Sequence, residues 1–99
     1  MDPREVKVFV KLGEECAEIQ QELAKTLLHG PYSYNPLEPM RGTNRQRLEK
    51  ELGDLMYWLD EAVKAGLVDE HMIRHWEFDK RQRIASGARE KAPPQGGGV

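Results

Sequence analysis

Lys11-Leu12-Gly13-Glu14-Glu15-Cys16-Ala17-Glu18-Ile19-Gln20-Gln21-Glu22-Leu23 is the stretch on which the reading of this chain turns. It has no proline, and its apolar residues recur at steps of three and four, the period of a helix. With a turn of about 100° per residue and Glu15 set at about 0°, Glu18 falls near −60°, Glu22 near −20° and Lys11 near −40°. Glu14 lies at about −100°, beside Glu18. The apolar arc runs the other way, from Val8 at about 20° through Ile19, Leu12, Leu23 and Cys16 to Phe9 and Leu27 at about 120°.

Working outward, Asp2-Pro3 starts this helix, with proline at the first helical position and Glu5 three residues after Asp2. It runs to about Leu28, where Gly30-Pro31 stops it. Gly30 to Gly42 holds three prolines in thirteen residues and is an ordered or semi-ordered loop. Loops of this length in a small domain are functional or disordered. Thr43-Asn44-Arg45-Gln46 has capping-box spacing and starts a second helix, ending near Ala65-Gly66. Asp69 caps a third, which runs to about Ser86-Gly87. The expectation is an all-α helical domain over residues 1–87, with the loop at 30–43, followed by a flexible tail at 88–99 that ends in Gly-Gly-Gly-Val99.

Set Glu51 at about 0° on the second helix, and Asp54 falls near −60° and Trp58 near −20°. The apolar arc holds Ala62, Leu55, Leu48, Leu59, Leu52, Val63 and Met56, from about 20° to about 140°. The two helices thus carry the same device, an acidic pair at i, i+3 bordering an apolar stripe. Stripe packed on stripe brings the pairs to a common border, where converging carboxylates repel one another unless a cation sits among them. An all-oxygen, doubly charged site suits Mg²⁺ or Mn²⁺. The plainer reading is that these glutamates are solvated and laced to lysines at i, i+3 or i, i+4. Acidic pairs gain no stability from each other, however, and two matching pairs at matching angles argue for a shared purpose.

Composition narrows the function. The chain has 99 residues, enough for one domain at most, and a mean hydropathy of −0.75 with no apolar run of spanning length. No signal peptide opens it, and one cysteine, Cys16, suits a reducing compartment, so a cytoplasmic protein is expected. Fifteen basic against 17 acidic residues give a net charge of −2, which demotes nucleic-acid binding. No glycine-rich phosphate loop is present.

Gly13-Glu14-Glu15-Cys16-Ala17-Glu18 followed by Glu51-Leu52-Gly53-Asp54-Leu55 resembles the E-E-x-x-E … E-x-x-D signature of the MazG-like all-α nucleoside triphosphate pyrophosphohydrolases. The resemblance spans roughly Lys11 to Val63. The Thr43-Asn44-Arg45-x-Arg47-Leu48-Glu49 lead-in is similar to that of small MazG-like proteins, including phage-encoded ones. The resemblance implies Mg²⁺ ligation by Glu15, Glu18, Glu51 and Asp54, with Mn²⁺ as a substitute. It makes Glu14 a further ligand or the orienter of an attacking water. The implied reaction is NTP + H₂O → NMP + pyrophosphate, by attack at the α-phosphorus of a nucleoside or deoxynucleoside triphosphate. Phosphoribosyl-ATP pyrophosphohydrolase is the ranked alternative: it shares E-E-x-x-E but has E-A-A-D-L-x-Y-H where this chain reads Glu51-Leu52-Gly53-Asp54-Leu55-Met56-Tyr57-Trp58. The 32 residues between Glu18 and Glu51 are also more than compact members have. A non-catalytic helical interaction module is the rival from another class.

Lys80 and Arg83 on the third helix are candidates for holding phosphates, against a solvated face with Glu77–Arg81 pairing. Trp58 is a candidate wall for the nucleoside, or interface core. Tyr32, Tyr34 and Asn35 can cover a base or lie on a plain surface loop. His71 and His75 are spaced as a zinc pair but lack supporting ligands. Cys16 reads as a small core residue. Stripes wider than about 100° on both long helices exceed what one short chain can cover, so a homodimeric helical bundle is expected, with a tetramer as the larger option.

Overall fold

A computed structural model gives the structure of the chain and describes residues 1–87. The tail expected at 88–99 lies outside the described residues. The chain divides into two compact units, Met1–Leu67 and Val68–Val99.

In the first unit, α1 spans Pro3–His29 and α2 spans Asn44–Lys64. Both start on complete capping boxes. Asp2 Oδ1 accepts from Glu5 N at 2.9 Å and Glu5 Oε1 from Asp2 N at 3.0 Å. Thr43 Oγ1 accepts from Gln46 N at 3.2 Å and Gln46 Oε1 from Thr43 N at 2.9 Å. Each box satisfies donors that the first helical turn otherwise leaves without partners. Past Ala65, α2 closes with Gly66 at φ 74°, Leu67 N donating to Ala62 O and Gly66 N to Val63 O. This crossed pair of bonds needs a left-handed residue, which glycine supplies without a Cβ clash.

The segment between the helices is ordered by its own hydrogen bonds. Ser33 O and Pro31 O accept from Asn44 N and Arg45 N, both at 2.8 Å, so the loop feeds the first turn of α2. Asn44 donates its side-chain amide to Gly30 O at 3.0 Å and Lys25 O at 3.4 Å. A short 3-10 turn covers Pro39–Arg41, and Tyr34 forms an isolated antiparallel bridge with Thr43.

The α1–α2 pair is antiparallel, and its seam differs from the stripe-on-stripe packing expected. Ala62, at 0% exposure, is the one buried apolar side chain among the described residues. The other buried side chains are polar: Glu22 (4%), Asn44 (5%), Glu15 (8%) and Arg47 (8%). Val8, Leu12, Ile19, Leu48, Leu55 and Leu59 are half-buried, whereas Phe9, Leu23, Leu27, Leu52 and Met56 are exposed. Exposure therefore rises broadly with angle away from the carboxylates, Val63 being the exception on α2. The cause is visible in the cross-helix polar contacts, Glu22 with Arg47 and Lys25 with Asn44, which draw the acidic edges of the two helices together. Cys16, expected in the core, is exposed for the same reason, because it lies on the part of the stripe that turns outward.

In the second unit, α3 spans Glu70–Ala85, with Asp69 Oδ1 accepting from His71 N at 2.9 Å as its cap. Its surface is laced by Arg74–Glu77, Glu77–Arg81 and Asp79–Arg83 ion pairs. Arg74 and Arg81 together hold the Glu77 carboxyl below its ordinary pKa. Among the described residues the protein is all-helical, and no helix is long and apolar enough to cross a membrane.

Candidate metal centre

α1 contributes Glu15 and Glu18 and α2 contributes Glu51; one carboxylate oxygen from each lies within 4.8 Å of the others. The spacing explains the placement, since residues at i, i+3 share a helix face and the antiparallel register brings Glu51 opposite Glu18. Glu15 is buried, Glu51 retains 13% side-chain exposure, and Glu18 lies on the open side.

The electrostatics follow from this crowding. Burial pushes the Glu15 carboxyl above its ordinary pKa, and hydrogen bonding and charge from Glu18, with the charges of Asp54 and Glu51, push the same way. Burial also raises Glu51, with Glu18 again adding to the shift and Lys50 opposing it. Glu15 Oε1 and Glu51 Oε1 are both buried without a hydrogen-bond partner. Unpartnered buried acceptors are costly, on the order of 1–3 kcal/mol each, and demand a reason. A hard divalent cation supplies one, because it takes carboxylate oxygens as ligands and cancels their repulsion.

Asp54, grouped with these three by its i, i+3 spacing, lies near enough for its charge to act on Glu15, but its Oδ2 accepts from Lys50 Nζ at 2.7 Å. Lys50 also reaches Glu51 at 3.9 Å, and its ammonium is held above its ordinary pKa chiefly by Asp54. This lysine was not singled out from the sequence, although Lys50–Asp54 is an ordinary i, i+4 pair. Glu14 stands apart from the cluster, on the exposed side of α1, where it accepts from Lys11 at 3.2 Å.

The next layer along the pair was also missed. Glu22 Oε2 accepts from Arg47 Nη2 at 3.2 Å, both side chains being below 10% exposed, with Lys25 Nζ at 3.8 Å from the same oxygen. Glu22 is four residues past Glu18 and Arg47 four before Glu51, so this pair continues the register of the cluster. Arg47 falls at about −40° on the angular scale used for α2, the side that carries Glu51. That was the available signal.

Trp58, one turn past Asp54, lines a cleft of about 530 Å³ with Tyr57, Val8 and Lys64, between the start of α1 and the end of α2. Its ring meets Tyr57 edge-on, with centroids 5.0 Å apart. Tyr32 and Tyr34 are exposed, and Asn35 Oδ1 is engaged by Leu37 N at 2.9 Å. Lys80 and Arg83 lie on α3 in the second unit, where Arg83 pairs with Asp79 at 2.8 Å. His71 and His75 are exposed, and neither belongs to a metal-competent group among the described residues. No protein-family model, curated protein or solved structure matches the chain.

Proposed function

We propose that the chain is a Mg²⁺-dependent nucleotide pyrophosphohydrolase of the MazG-like kind, converting nucleoside or deoxynucleoside triphosphates to the monophosphate and pyrophosphate. The observation that carries this reading is the convergence of Glu15, Glu18 and Glu51 from two helices, with two buried oxygens left unpartnered. Their order in the chain, with Asp54, matches the E-E-x-x-E … E-x-x-D pattern. Glu15, Glu18 and Glu51 would hold the ion, and Asp54 would join them on release from Lys50. Bound Mg²⁺ would neutralise phosphate charge and acidify a water, the chemistry that phosphoryl transfer needs.

The protein groups have separable tasks. Glu15 and Glu51 are held in place by burial, so they need little reorganisation to bind a cation. Lys50, poised at Asp54, neutralises the site until a cation arrives and then becomes available to a phosphate oxygen. Trp58 and Tyr57, packed edge to face, offer aromatic surface in a cleft large enough for a nucleoside. A second copy of the chain is the proposed cover for the outward apolar side of the pair, where Phe9, Leu23, Leu27, Leu52 and Met56 are exposed. The resulting homodimer would be a helical bundle.

Incubation with a panel of ribo- and deoxyribonucleoside triphosphates and Mg²⁺ tests the activity. Pyrophosphate is the expected product; orthophosphate as the direct product, or no turnover of any member, overturns the reading. Sedimentation tests the assembly, and a monodisperse monomer at micromolar concentration overturns the dimer.

A further inference from the structure

We propose that the cleft at the loop end of the α1–α2 pair is an anion site that binds phosphate groups, separate from the carboxylate cluster and standing independently of the metal-centre reading. The cleft holds about 420 Å³ between the end of α1, the start of α2 and the segment joining them. Lys25, His29, Arg41 and Arg47 line it, against a single acid, Glu38. Glu38 pairs with Arg41 at 3.1 Å, and Glu22 lies 3.2 Å from Arg47 and 3.8 Å from Lys25, so two acids meet three permanent cations.

Arg47 marks the cleft as more than a cationic surface. Its side chain is over nine-tenths buried, it makes one charged hydrogen bond, to Glu22, and its Nε has no partner. A guanidinium presents five donors in a rigid fork suited to carboxylate and phosphate oxygens. One carboxylate oxygen leaves most of that capacity unused, in surroundings where an unused donor is costly. Glu22 fixes Arg47 through Nη2 while Arg47 also lines the cleft, the arrangement by which a second residue orients a ligand-binding one.

The walls are fixed rather than assembled on binding. Asn44 ties the start of α2 to Gly30 O and Lys25 O, and the loop carbonyls of Pro31 and Ser33 are bonded into the first turn of α2. Lys25 is presented from α1 and Arg41 from the segment that joins the helices. Phosphate, carrying more than one charge and several acceptor oxygens, suits two solvent-accessible cations and one rigid fork.

The test uses the full chain in EDTA, which removes the metal centre from the result. Inorganic pyrophosphate and ATP serve as separate probes, with binding read by calorimetry at constant ionic strength. The expected result is saturable binding of pyrophosphate, weakened on the order of 10–100-fold in the Lys25→Gln/Arg41→Gln double variant through loss of two charge-assisted contacts. Both positions are solvent-accessible, so that variant keeps the fold, which circular dichroism checks. Binding of ATP alone, lost in the same variant, supports a site for nucleotide-borne phosphate instead of the free ion. Absence of binding by both probes, or binding that the double variant leaves unchanged, overturns the proposal. So does binding that is lost in Glu51→Gln and kept in the double variant, since it would then belong to the carboxylate cluster.

Discussion

The Glu15–Glu18–Glu51 layer and the Glu22–Arg47 layer are built by the same two helices, about 6 Å apart along the axis. Both bury charge at the seam. In one, three carboxylates face each other and no cation of the described residues sits among them; in the other, a carboxylate meets a guanidinium and the charge is cancelled inside the protein, although each layer keeps two polar atoms without partners. The difference is one residue type at one helical step, Glu51 against Arg47. A layer whose charges cancel holds the helices together, and a layer of like charges calls for a counter-ion.

Removing a partner from the charge-balanced layer should have the largest effect. Arg47→Ala leaves Glu22 buried with only the more distant Lys25, at 3.8 Å, for an expected loss of about 3 kcal/mol, enough to unfold much of a small domain. Urea denaturation measures it. The paired replacement Glu22→Leu/Arg47→Met should recover most of that loss; equal destabilisation by both variants would mean that the ion pair is not what holds this layer.

The carboxylate layer should respond in the opposite sense. Glu51→Gln is expected to cut Mg²⁺-dependent pyrophosphate release by at least about 100-fold, the upper end of what losing a residue behind a metal ligand costs. The same substitution should raise the melting temperature of the metal-free protein, because it removes one of three repelling charges. Unchanged turnover breaks the site assignment, and a lower metal-free melting temperature breaks the electrostatic contrast between the layers.

The pH dependence sharpens the contrast further. Burial and neighbouring carboxylates raise Glu15 and Glu51 above 4.5 in the fold, so the native state binds their protons more tightly than the unfolded chain does. Their contribution to stability is present below the ordinary carboxylate pKa and is lost as pH rises through the raised values. The metal-free protein should therefore melt lower at neutral than at mildly acidic pH. Mg²⁺ should reverse this, stabilising at neutral pH and little in acid, since it competes with those protons. A Mg²⁺-independent melting temperature at neutral pH would remove the metal centre.

The smallest expected effect lies at the loop. Gly42 has φ 82°, and a Cβ there would sit 2.5 Å from Gln46 Oε1, the group that caps α2. Gly42→Ala should cost about 1–3 kcal/mol by thermal denaturation. Turnover per folded molecule should stay unchanged, because the carboxylate layer is two turns away; a matching loss of turnover would show that the loop and the metal centre act together.

Helix limits were legible from Asp2-Pro3-Arg4-Glu5, Thr43-Asn44-Arg45-Gln46, Gly30 and Gly66, because caps and stops act over three or four residues and their chemistry is written locally. The i, i+3 acids were legible for the same reason, and with them three side chains that the fold brings together. Glu22 was readable as a glutamate on the acidic edge of α1, but not its pairing with Arg47, which lies 25 residues away.

The sequence by itself determined where the helices begin and end and which side chains share a face on each. Only the tertiary structure decided which part of each face becomes the seam. The apolar arc and the acidic edge were both available for burial, and local propensity does not choose between them. Contacts between distant residues chose: Asn44 to the end of α1, and Arg47 to Glu22, turned the acidic edges inward and left the apolar flank facing out.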